Sequence, residues 1–106
     1  MIIQFVQFET SLDEEAVLIA AHERRDQYRA TPGLVQKLYL KLNKPNHYGG
    51  INIWRSRKDL KAFSESDLAK TIPSAYRVIG APDIEVHDML FPLRDNMDFG
   101  EVLETE

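Results

Sequence analysis

A chain of 106 residues, 43% hydrophobic and 28% charged, is long enough for one domain with one core and has ordinary globular composition. Its formal charge of −4, from 17 acidic against 13 basic residues, argues against nucleic acid or an anionic membrane surface as the main partner. The absence of cysteine excludes disulfides, thiolate nucleophiles and cysteine-ligated metals. With no apolar run near the roughly 20 residues that cross a bilayer and no cationic segment ahead of one, a cytoplasmic protein without a membrane partner is expected.

Ile2 to Phe8 is rich in β-branched and aromatic residues and reads as a strand buried on both faces, interrupted by Gln4 and Gln7. Ser11 is placed to cap a helix running from Leu12 to about Arg29, with Glu14 at the capping-box position and Asp13, Glu14 and Glu15 in the first turn. Val17, Ala20, Ala21, Arg24 and Tyr28 form one stripe at helical spacing, and Thr31-Pro32-Gly33 ends the helix. Leu34 to Leu42 alternates as a second strand. Leu34, Leu38, Leu40 and Leu42 face one way, and Lys37, Tyr39 and Lys41 form an amphipathic rim on the other. After the turn residues Asn43 to His47, a third strand runs from Tyr48 to Trp54 and closes an antiparallel hairpin. Gly50, Asn52 and Trp54 share one of its faces, Ile51 and Ile53 the other.

Ser56 caps the next helix, which begins near Arg57 with Asp59 at the third position and Leu60 and Phe63 on its apolar side. Ser64 to Asp67 breaks it, Ser66 or Asp67 recaps a continuation through Ile72, and Pro73 ends that. Ser74 to Ile79 adds one more turn before Gly80. Pro82 precedes a fourth strand from Ile84 to Phe91. The domain spans 1–93, and an acidic tail follows from 94 to 106. The order βαββαβ gives an α+β, ferredoxin-like fold with a four-stranded antiparallel sheet and both helices on one face. The aliphatic second face of such a sheet needs a cover, and a homodimer with two sheets packed together supplies it.

Several side chains are candidates for chemistry. Trp54 either stacks on a flat ligand or packs in the core against the second helix. Asn52 on the same face either bonds a ligand or ties down a loop. His22 on the first helix and His87 on the last strand are the candidate proton acceptors. Arg24, Tyr28, Tyr39 and Tyr76 are the candidate substrate contacts: Arg24 through an anion or phenolate, Tyr76 from a segment placed to act as a lid. The three histidines lie 25 and 40 residues apart and match no metal-ligand spacing, so no metal is expected. Gly49-Gly50 is not a phosphate loop but permits a bulge or a close approach.

Pro32-Gly33-Leu34 opening the second strand, the strand ending in Trp54, the segment Ser56-x-x-Asp59-Leu60-x-x-Phe63 and the apolar final strand resemble the dimeric α/β-barrel superfamily. Within it they resemble the small mono-oxygenases related to the antibiotic-biosynthesis monooxygenases. The resemblance covers about residues 1–93. It implies a homodimer whose two sheets form a barrel, with a ligand cavity between sheet and helices in each subunit. Relatives oxidise polycyclic phenols or quinol-like molecules with dioxygen and no cofactor, using tryptophan, asparagine, tyrosine or arginine side chains; Trp54 matches the tryptophan position. Haem-degrading relatives use an asparagine on the first strand and a histidine on the second helix. Here the first strand carries Gln4 and Gln7, and the stretch from Arg57 to Ile72 has no histidine. The resemblance therefore implies a monooxygenase acting on a small aromatic phenol without a cofactor. The alternative is a non-catalytic dimer that binds a hydrophobic small molecule or serves in stress.

Overall fold

Four strands, β1 (Ile2–Thr10), β2 (Leu34–Lys41), β3 (His47–Trp54) and β4 (Val78–Asp88), pair antiparallel in the order β2-β3-β1-β4. The coordinates are a computed structural model, and they describe residues 1–95. The helices are α1 (Glu14–Arg29), α2 (Arg57–Ser64) and two single turns, α3 (Asp67–Lys70) and α4 (Ile72–Ala75). Helical residues Val17, Ala21, Tyr28 and Phe63 pack with Ile2, Phe8, Tyr48 and Trp54, which all point to the same side of the sheet. The helical layer thus covers one face, and the chain has the α+β, ferredoxin-like fold expected of the order βαββαβ.

Local chemistry explains the element ends. Ser56 Oγ accepts from Asp59 N at 3.2 Å and donates to the Asp59 carboxylate at 2.9 Å, which starts α2. Ser66 Oγ accepts from Ala69 N at 3.2 Å and starts α3. The first helix departs from expectation. Its cap is Asp13, whose Oδ1 accepts from Ala16 N at 2.9 Å, and the helix begins at Glu14 rather than Leu12. The reason lies in Thr10, which is buried. Its hydroxyl accepts from Leu12 N at 3.0 Å and donates to the Tyr76 carbonyl, holding Ser11 and Leu12 outside the helix.

Two further differences set side-chain directions. The β2–β3 ladder shifts register between Leu34 and Gln36. Leu34 therefore packs beside Trp54 on the helical side, while Leu38 and Leu40, expected to share its face, lie on the opposite one. Pro73 lies inside α4 instead of ending a helix, and no further turn follows, because β4 begins at Val78, six residues before the expected start, and stops at Asp88. Gly80 to Pro82 fall in an irregularity of the β1–β4 ladder on an edge strand, where a missing N–H costs no pairing. The expected acidic tail falls mostly on 96–106, outside the described residues. No helix among the described residues is long and apolar enough to cross a membrane.

Candidate active site

The core is split. Ile2, Tyr28, Trp54 and Phe63 form one buried cluster, and Val17, Ala21 and Tyr76 form another. Between them the helices stand off the sheet and leave a cavity of about 450 Å³, within the usual range for a small-molecule site. Val6, Phe8, Val17, Ala21 and Ile72 supply apolar wall, and Tyr76 closes one side with its ring 5.5 Å from that of Phe8.

The polar groups of the cavity are concentrated on its floor. Gln4, Asn52 and Lys37 are directly opposite one another across β1, β3 and β2, so the sheet itself places them in one row. Lys37 Nζ donates to Asn52 Oδ1 at 3.0 Å. Asn52 Nδ2 donates to Gln4 Oε1 at 3.0 Å. The same oxygen accepts from Trp54 Nε1 at 3.1 Å. Each amide is thereby held in one orientation. The Lys37 ammonium lies 4.6 Å from the ring centre of Tyr28 and 5.0 Å from that of Tyr39. Opposite Tyr39 the strand has Gly50, where a Cβ would crowd the Leu38 carbonyl oxygen at 3.2 Å and stand 3.4 Å from Lys37 Nζ. At Gly49 a Cβ would collide with the Val6 carbonyl. The glycine pair serves close approach, and the ladder shows no bulge at either position.

The ring faces favour the lysine cation, but burial opposes it more strongly, with the Arg24 charge adding to the opposition. Together they push Lys37 from the ordinary 10.5 down to about 8. No described carboxylate lies within ion-pair distance of it. Burial raises Tyr28, with the Arg24 guanidinium beside it partly opposing, and it raises Tyr39 and Tyr76 as well. The three phenols therefore stay protonated near neutral pH. Lys37 is the cavity group poised to exchange a proton there.

Of the residues singled out from sequence, Asn52, Tyr28, Tyr39 and Tyr76 line the cavity. Tyr76 is buried, packed with Val17 and Ala21. Arg24 donates to the Leu68 carbonyl at 2.6 Å and to Thr71 Oγ1 at 3.1 Å, tying α1 to the end of α3. Trp54 is 0% exposed and lies under the floor, its ring 5.1 Å from that of Phe63, so it offers no face to a ligand. His22 is on the solvent side of α1. His87 is on the opposite face of the sheet, 3.3 Å from Glu85. Neither histidine reaches the cavity, because the row that does is set by the parity of Gln4 and Asn52. Lys37 and Gln4 are the polar residues the sequence reading passed over. The signal was present in the hairpin: once Lys41 pairs with Tyr48, Lys37 must pair with Asn52. Among the described residues, no three histidine, aspartate or glutamate side chains converge as metal ligands.

A helical layer over one face of a four-stranded antiparallel sheet, with a cavity between the two, defines a ferredoxin-like α+β fold. Solved structures share the fold. The chain superposes on the NE2512 protein of Nitrosomonas europaea, of unknown function, with a TM-score of 0.73 at 18% identity, covering 90% of this chain and 94% of that one. SnoaB, a cofactor-independent oxygenase from Streptomyces nogalater, gives 0.69 at 15% identity over 89% and 98% of the two chains. A candidate antibiotic biosynthesis monooxygenase from Nitrosomonas europaea gives 0.67 at 19% identity over 86% and 100%. No protein-family model matches the sequence, and no curated protein does.

Proposed function

We propose that this protein is a cofactor-independent monooxygenase that oxidises a flat phenol or quinol-like molecule with dioxygen. The observation that carries this reading is the Lys37 amine, held by Asn52 at the polar floor of a mainly apolar cavity. A phenol edge-on to the floor gives its proton to neutral Lys37. The resulting anion, carbanion-like at the ring carbon para to oxygen, passes one electron to dioxygen. Radical and superoxide then join through a new carbon–oxygen bond. Lys37 returns the proton to the peroxide, and loss of water leaves a carbonyl at that carbon. One oxygen atom ends in product and one in water, so a CH₂ carbon oxidised to C=O balances the four-electron reduction of dioxygen. The apolar walls keep the charged pair from water. The expected result is stoichiometric oxygen uptake on an oxygen electrode with at least one member of a panel of anthrones and hydroquinones, with purified protein and no added cofactor. Binding of panel members without oxygen uptake would leave a binding protein instead.

The active molecule in this reading is a homodimer. On the face of the sheet away from the helices, Phe5, Leu38 and Ile51 are only half-buried. Beyond β4, Leu90, Phe91 and Leu93 are 93%, 78% and 87% exposed. That much bare apolar side chain is unusual in a monomer and is removed when a second sheet packs against the first. Sedimentation is expected to give twice the 12.2 kDa chain mass at micromolar concentration. A stable species at the single-chain mass would contradict the dimer.

A further inference from the structure

We infer that the site takes an aromatic carboxylate, with the aryl ring in the cavity and the carboxylate outside it against Arg25. This names the substrate class of the site proposed above and rests on that reading only for where the ring goes. The observation is a second concavity of about 310 Å³ beside the first, between the C-terminal half of α1 and β2. Tyr28, Lys37 and Tyr39 line both spaces and form the partition between them. Arg25 and Arg29, one helical turn apart, stand on the outer side of that partition.

The charges at this end of the molecule are unbalanced. Arg24, Arg25, Arg29 and Lys37 gather there in a chain whose net charge is −4. Their only described carboxylate partner is Asp26, 3.6 Å from Arg29 on the exposed surface. Arg25 makes no ion pair among the described residues. Arg24 Nε is buried without a hydrogen-bond partner. The one carboxylate that lines the main cavity, Glu14, is occupied by Lys41 at 2.6 Å. An anion entering the outer groove thus meets the Arg25 and Arg29 guanidiniums and the Lys37 ammonium, with no acidic side chain among the described lining residues of the groove, and guanidinium recognises a carboxylate through a planar, two-point contact. Tyr28 and Tyr39 fit the junction, since their ring faces suit the aryl part and Lys37 lies between them. A ring bearing hydroxyl and carboxyl groups on adjacent carbons spans the partition, its hydroxyl toward Lys37 and its carboxylate toward Arg25.

The test is a binding measurement that needs no turnover. 3-Hydroxy-2-naphthoate and its methyl ester are titrated against the full-length protein at low salt and their fluorescence followed. The acid is expected to bind about tenfold tighter than the ester or more, with that preference shrinking as salt is raised. In Arg25→Gln the acid is expected to fall to the affinity of the ester, while the ester binds as before. Equal binding of acid and ester, a preference that survives Arg25→Gln combined with Arg29→Gln, or no saturable binding of the acid would each overturn the inference. Oxygen uptake without an acid preference refutes the carboxylate site alone. An acid preference with no oxygen uptake from any phenol refutes the oxygenase alone.

Discussion

Lys37→Met is expected to lower the oxygenation rate by at least about 100-fold, the usual scale for removing a positioned proton acceptor, while the protein stays folded. Methionine keeps most of the length and volume. It leaves Asn52 Oδ1 without its donor but also removes a cation from a poorly solvated place, so the two stability effects oppose each other. Lys37→Arg is not expected to restore the rate, because a guanidinium does not give up its proton at usable pH. In the wild type the rate is expected to rise with pH and level off above about 8, since only the neutral amine accepts a proton and its pKa is lowered to about 8. A rate already flat from pH 6 to 9 would remove Lys37 from the proton step. The same shift also marks stability. Between about 8 and 10.5 the unfolded lysine holds a proton that the folded one has released. On this group's account, stability therefore rises with pH through that window, and below 8 the full penalty of the buried charge is present. The urea midpoint of the wild type minus that of Lys37→Met should rise between pH 7.5 and 9.5.

Trp54→Ala is expected to cost about 3–5 kcal/mol of stability in urea denaturation, the range for deleting a large buried aromatic. The indole is fully buried, lies 5.1 Å from the Phe63 ring and packs with Ile2 and Tyr28. Trp54→Phe keeps most of that packing and removes only the N–H donated to Gln4 Oε1, which still accepts from Asn52. It is expected to cost far less, and to leave oxygenation within a few-fold of wild type. Loss of activity in Trp54→Phe on the scale of Lys37→Met would show that the indole meets the substrate after all. A cost below about 1 kcal/mol for Trp54→Ala would show that it is not packed as described.

The fold was legible because its signals are local and agree with one another. Ser56 with Asp59, and Ser66 with Ala69, mark helix starts that hydrogen bonds then satisfy. Alternation in β2 and β3 fixed the hairpin. The candidate site was less legible because it depends on register across three strands, which no single stretch displays. Asn52 was found through its place beside Trp54. Parity alone leaves two places for the indole, against a flat ligand or in the core against the second helix, and packing with Phe63 and Ile2 puts it in the second, below the floor. Histidine is the usual side chain for proton transfer near neutral pH, but His22 and His87 lie on faces that the cavity does not touch. The residue whose chemistry is altered is a lysine, and the alteration comes from desolvation and a neighbouring arginine that only the folded chain brings together. The bulge after Leu34 is a further case. One extra residue in β2 separates Leu34 from the leucines with which it alternates, and nothing in a run of apolar residues announces it.

Direct titration of the Lys37 side chain bears on all of this, since a proton acceptor at the cavity floor requires an amine that is partly neutral near physiological pH. Lysine selectively labelled with ¹³C at Cε, assigned by comparison with Lys37→Met and followed by NMR from pH 6 to 12, is expected to show the Lys37 resonance titrating at about 8, well below the ordinary lysine value. If Lys37 titrates at the ordinary lysine value, above about pH 10, its amine is a plain cation and the proton step assigned to it does not occur.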